Sequence, residues 1–126
     1  MAPLPPYAEA LGLTVEPGDG APVLVMPFGD HVLGRPSFLH GGALSGLLEM
    51  AAIVGLRHAL GAEAARIKLV NVTVDFMRGG REKPTRAVGI VTRLGTRVAN
   101  VEAVAWQDER EKPIAAARMN FLVERG

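Results

Sequence analysis

The chain has 126 residues, a formal net charge of +1, 48% apolar residues and no cysteine. That length fits one domain burying about two thirds of its unfolded surface. The small charge excludes bulk electrostatic attraction to nucleic acid or an acidic membrane, and the missing thiols exclude disulfides and thiolate chemistry. The start of the chain, with Pro3, Pro5, Pro6 and Pro17, lacks the basic head and long apolar stretch of a secretory signal. The sequence therefore reads as one cytoplasmic globular domain, 1–126, without internal repeats.

Pro6 to Leu11 predicts a short helix, with proline in its first turn and Gly12 as its stop. Leu13–Glu16 and Ala21–Phe28 read as strands of a hairpin, turned by Pro17-Gly18-Asp19-Gly20. Gly29 to Leu39 is a loop punctuated by Gly29, Gly34 and Pro36, and it delivers His40-Gly41-Gly42 to a long apolar run.

That run, Ala43 to Leu60, predicts the central helix. Its only strongly polar side chains are Ser45, Glu49, Arg57 and His58. Apolar residues cover most of the wheel, so the helix is expected to be buried on most sides. Arg57, His58 and Gly61 supply the C-terminal end. Glu49 sits near the middle, which argues against a membrane span and demands a use for a carboxylate among apolar neighbours. Two uses fit: an edge position facing solvent or an arginine, or acid/base or nucleophilic work in a cleft. Gly41 and Gly42 favour the second, because free N–H groups at a helix N-terminus stabilise a developing oxyanion.

Glu49 lies eight residues beyond Gly41, roughly 12 Å along a helix axis. One chain does not easily close His40, the Gly41 amide and Glu49 around one carbonyl. Two antiparallel copies of the helix do, and the spacing predicts a site shared across a two-fold dimer.

Beyond Gly61, Ile67 to Met77 predicts a strand, with Lys68, Val70, Val72, Val74 and Phe76 on one face and Leu69, Asn71, Thr73, Asp75 and Met77 on the other. Arg78 to Pro84 is a charged turn. Thr85–Leu94, Val98–Gln107 and Pro113–Val123 read as three further strands. Two strands, a buried helix and four antiparallel strands make an α+β chain with the helix wrapped by a sheet.

His40-Gly41-Gly42, with an acid nine residues after the histidine inside an apolar helix, resembles the signature of hotdog-fold acyl-CoA thioesterases of the PaaI-like type (phenylacetate-type and 4-hydroxybenzoyl-CoA-type). The likeness extends to Val72–Arg78, Val91–Arg97 and Ala115–Val123. It implies a hotdog fold, an antiparallel sheet wrapped around a long central helix. It also implies hydrolysis of an acyl-CoA thioester by a homodimer or homotetramer (a dimer of dimers), with no cofactor and no metal. The implied catalytic residues are Glu49, Gly41 and His40. The substrate-binding residues are Gly42, Phe38, Leu39, Met50, Ile53, Arg93 and Arg97, with Val54 as a further acyl-pocket wall and the arginines as a coenzyme A phosphate grip.

Two positions depart from that pattern. Gly34 stands where relatives commonly place Asn or Gln, and Ile53 where several place Ser or Thr. Separately, the run from His31 to Pro36 resembles part of the β-hydroxyacyl dehydratase signature. The alternatives are therefore a 3-hydroxyacyl thioester dehydratase or hydratase using His31 and Glu49, or a non-catalytic acyl-CoA-binding protein.

Overall fold

A computed structural model describes residues 4–125. In order they form α1 (Tyr7–Leu11), β1 (Thr14–Glu16), β2 (Val23–Met26), a 3₁₀ turn (Asp30–Val32), α2 (Gly41–Leu60), β3 (Ala65–Phe76), β4 (Thr85–Leu94), β5 (Val98–Trp106) and β6 (Ala115–Arg125). The strands make one antiparallel sheet in the order β1-β2-β4-β5-β6-β3, wrapped around α2 as the sequence predicts.

The helix seats closely where the sheet face beneath it carries small side chains. Ala87, Ala99, Ala103, Ala105, Ala115 and Ala117 are buried there. Gly55 of α2 meets Gly89 of β4. A Cβ on Gly89 would stand 2.2 Å from the carbonyl oxygen of Ala51, and one on Gly55 2.6 Å from that of Gly89. Only hydrogen fits at either position. Leu47, Leu48 and Leu56 fill the rest of the interface and are fully buried, each stabilising the fold by roughly 1.5–3 kcal/mol. By length and composition α2 could cross a membrane, yet 67% of its 18-residue apolar stretch is buried inside the protein, as in the core helix of this fold. Gly61 ends it with a left-handed φ of 60°, its N–H donating to the carbonyls of Arg57 and His58.

The predicted alternation of β3 is broken. The strand starts at Ala65, two residues before Ile67, and its pairing with β6 slips between Leu69 and Asn71, with Val70 as the extra residue. Ile67 and Leu69 therefore share the helix-side face with Val72, Val74 and Phe76, opposite buried Val123, Phe121, Met119, Ala117 and Ala115. A uniform period of two would have put Leu69 on the other face. The bulge is flanked by an asparagine ladder: the Asn120 amide donates to Asn71 at 2.9 Å, and that of Asn100 donates to Asn120. β3 pairs with β6 alone, so its outer edge is open, and Val70, Val72, Phe76 and Met77 remain exposed along it.

At the other edge Glu16 of β1 accepts two hydrogen bonds from Arg86 of β4. That hydrogen-bonded guanidinium holds the Glu16 carboxyl below its ordinary value. The pair's contribution is present above the usual carboxylate range and lost as pH falls below it.

Candidate active site

His40 is the N-cap of α2. Its extended backbone (φ −69°, ψ 132°) turns the chain into the helix, and its Nδ1 accepts the Gly42 N–H at 2.8 Å. An accepting Nδ1 puts the hydrogen of the neutral ring on Nε2, which leaves that atom as a donor. The N–H groups of Ala43 and Leu44 both go to the His40 carbonyl. Of the first four amides of the helix, Gly41 alone has no acceptor among the described residues, and Gly41 is exposed. One strong donor at the positive end of a 20-residue helix is thus left for a ligand.

Gly41 opens into a groove of about 390 Å³ lined by Arg35, Phe38, Leu39, Leu44, Phe76 to Arg78 and Gly79-Gly80. The turn after β3 fixes this groove: the Leu39 N–H donates to the Gly80 carbonyl, and a Cβ on Gly79 would come 2.5 Å from the Phe38 ring.

Glu49 belongs to a different place. Ser45, Glu49, Ile53 and Arg57 form the partly exposed stripe of α2, four residues apart, that the sheet does not cover. Glu49 lines a cleft of about 930 Å³ with apolar walls from Leu4, Pro5, Pro22, Ile53, Val54, Ile67, Leu69 and Phe121. Arg57, His58 and Glu63 stand toward its far end. Arg57 donates to the Ala65 carbonyl at 2.5 Å, and Glu63 is paired with Arg125. Among the described residues the Glu49 carboxylate has no hydrogen-bond or ion-pair partner.

The protomer therefore brings Glu49 together with Ile53 and Val54, and Gly41 with Phe38 and Leu39, but it does not bring the two groups into one cavity. Met50 corrects the sequence reading: it packs into the core, 4% exposed, and lines neither cavity. Arg93 and Arg97 are exposed around the β4–β5 turn. Val123 donates to the Arg97 carbonyl beside the start of β3, whereas Gly41 meets Phe76 at its end. The two arginines thus lie at the opposite end of the sheet from Gly41. His31 is separate again: its Nε2 lies 3.2 Å from the Leu11 carbonyl of α1, and it shares no cavity with Glu49.

Gly34 has a packing reason. A Cβ there would stand 3.0 Å from the His40 Cα, so an Asn or Gln at this position would displace the residue that caps the helix. Arg35 and Arg78, which line the groove, escaped the sequence reading. The Arg78-Gly79-Gly80-Arg81 run was legible as a turn, but nothing local says that it folds against Phe38. The cleft walls from Leu4, Pro22 and Phe121 come from distant segments and carried no signal at all.

The sequence profile of the thioesterase superfamily matches residues 37–114. Among solved structures, a protein of Chromobacterium violaceum is 36% identical, covering 93% of this chain and 82% of its own length, with a TM-score of 0.74. A phenylacetic acid degradation-related protein of Ralstonia eutropha is 25% identical over 96% of this chain and 92% of its own, with a TM-score of 0.80. A thioesterase of Haemophilus influenzae shares the fold at 18% identity, covering 94% and 82% of the two chains with a TM-score of 0.82. No curated protein matches.

Proposed function

The chain belongs to the thioesterase superfamily, and from that premise we propose that it hydrolyses an acyl-CoA thioester to the free acid and CoA. The observation that carries the reading is the division of labour along α2: one unclaimed amide at Gly41 and one unclaimed carboxylate at Glu49. The Gly41 N–H polarises the thioester carbonyl and holds the oxyanion. Glu49 of the partner subunit acts from the apolar cleft. As a general base it takes a proton from water while the water oxygen bonds to the carbonyl carbon. The tetrahedral intermediate then collapses, the C–S bond breaks, and the sulfur leaves as thiol with that proton. As a nucleophile its oxygen would bond to the carbonyl carbon as the C–S bond breaks and thiolate leaves; water then opens the anhydride, returning the Glu49 carboxylate and giving the thiolate its proton. His40 holds the helix entrance in place and offers Nε2–H as a further donor.

The open edge of β3 and its exposed Val70, Val72 and Phe76 support assembly as a homodimer, or a dimer of dimers. The apolar cleft, with Ile53 and Val54 beside Glu49, suits the acyl group. His31 lines neither the Gly41 groove nor the Glu49 cleft and turns to the Leu11 carbonyl, which gives the dehydratase reading no support.

A panel of acyl-CoA compounds followed with a thiol dye, and in parallel by absorbance of the conjugated enoyl thioester, tests the proposal. Thiol release without an enoyl signal is expected. An enoyl signal without thiol would establish the dehydratase, and binding without either product would establish a sensor.

A further inference from the structure

The far end of the Glu49 cleft carries a positive charge that no acid of the described residues takes up. Arg57 stands there, half-buried, on the same uncovered stripe of α2 as Glu49 and Ile53. Its Nη1 donates to the Ala65 carbonyl at 2.5 Å, which ties the guanidinium to the start of β3. A guanidinium carries several N–H donors, and Ala65 is the only acceptor that Arg57 has among the described residues. Two acids share its surroundings, and both are claimed by other arginines. Glu63, which lines the same cleft, is paired with Arg125, and Glu124, which lines an adjoining groove with Arg57, is paired with Arg66. The cleft thus runs from the free carboxylate of Glu49, between walls of Ile53, Val54, Ile67 and Leu69, to the free guanidinium of Arg57, with exposed His58 beside it.

That polarity fits an acyl group with a charge of its own at the far end. A plain hydrocarbon chain would lay its methyl end against the guanidinium and strip it of water without replacing the lost hydrogen bonds. A carboxylate there gains charge-assisted hydrogen bonds from a planar fork that is already tethered. Eight helical residues separate Arg57 from Glu49 by roughly 12 Å, so only a chain of medium length touches both. A short diacid would instead bring its second carboxylate beside Glu49, where like charges repel. We infer that the substrate is a medium-length acyl thioester with a terminal carboxylate, and that Arg57 is the residue that selects it. The inference rests on the thioester reading above and adds the class of acyl group to it. Arg57 reads the end of the chain, while the carbonyl stays with Gly41 and Glu49.

Matched pairs of CoA thioesters test it: hexanoyl with adipoyl, octanoyl with suberoyl, decanoyl with sebacoyl. Wild-type kcat/KM should favour the ω-carboxy member by about tenfold or more in at least one pair. Arg57→Gln should bring that ratio to about one or below, the loss falling on KM of the ω-carboxy thioester. Arg57→Lys keeps the charge without the fork and should fall between the two. Arg66→Gln removes the same kind of charge from an exposed pair with Glu124 and should leave the ratio where it was. Wild-type ratios near one or below in every pair overturn the inference. So does a wild type that cleaves other acyl-CoA thioesters and none of these. An equal loss on both members of a pair in Arg57→Gln also overturns it, because Arg57 would then serve only as a tie to Ala65. Should Arg57→Gln not fold, Arg57→Lys decides: a lowered ratio supports the inference and an unchanged one overturns it. If wild type cleaves no thioester at all, the hydrolase reading fails by itself, and calorimetry with the same compounds decides the inference. Tighter binding of the ω-carboxy members that is lost in the Arg57 variant supports it; equal binding of both members, or none, overturns it.

Discussion

The two cavities at either end of the exposed stripe of α2 are opposites. The groove at Gly41 is small, fringed with Arg35 and Arg78 and built on a turn that crosses from β3 toward β4. The cleft at Glu49 is more than twice as large and mostly apolar, built from α2, β3, β6 and the N-terminal segment. The first suits the charged, donor-hungry end of a thioester and the second its acyl group. Neither is a complete site among the described residues: the groove has the free helix-end amide and no carboxylate, and the cleft has Glu49 but no free helix-end amide. Eight residues of helix keep Gly41 and Glu49 roughly 12 Å apart, and the proposed site uses a second copy running the other way to join them. The two-fold site is the simplest geometry that gives both cavities a role.

The largest expected effect removes the base. Glu49→Gln keeps the shape of the cleft and should lower kcat by roughly 10²–10⁴ while the melting temperature holds or rises. An early-melting variant with wild-type turnover would make Glu49 structural.

Removing the donor is the matching experiment at the groove. Gly41 is the first residue of α2 and His40 before it is extended, so Gly41→Pro deletes the N–H where proline suits both residues. The rate should fall by roughly 10²–10³, the range for a lost oxyanion donor. Mixing the two inactive variants after subunit exchange then examines the comparison itself. A shared site should return about a quarter of wild-type activity, since half the dimers are mixed and each carries one intact site of two. A site closed within one chain would return nothing. Sedimentation of wild type as a stable monomer at micromolar concentration would end the shared-site argument before any mixing.

The face of α2 turned to the sheet should respond in stability. Gly89→Ala presses a methyl into the Ala51 carbonyl and should cost roughly 1–3 kcal/mol, read as a lower Tm. Ser45→Ala, on the uncovered stripe, should change Tm little. Equal effects would mean that the helix is not seated as closely as Gly55 and Gly89 imply.

The smallest effect lies at the helix entrance. His40→Ala loses the cap to Gly42 and should cost about 1 kcal/mol, whereas His40→Asn should recover most of it. If activity recovers with stability in the Asn variant, His40 serves as a cap. If it stays low, the Nε2–H donor is used in the reaction.

The sequence by itself determined the helix, its ends and the succession of strands along the chain. Each follows from local chemistry: apolar coverage of a wheel, glycine after the last turn, and long runs separated by turn segments such as Leu94-Gly95-Thr96. Those signals are carried within ten or twenty residues, so they survive without knowledge of the fold. Tertiary structure decided the rest. The bulge at Val70 depends on registry with β6, and it overrode the alternation that the sequence of β3 suggested. Met50 became core because packing of α2 against the rest of the fold buries it to 4% exposure. Which basic side chains remain free depends on which ones a distant carboxylate reaches: Glu16 holds Arg86 from 70 residues away and Asp108 holds Lys83 from 25. Charge pairing between distant segments has no local signature, so only the folded chain could show that Arg57 keeps its charge unclaimed.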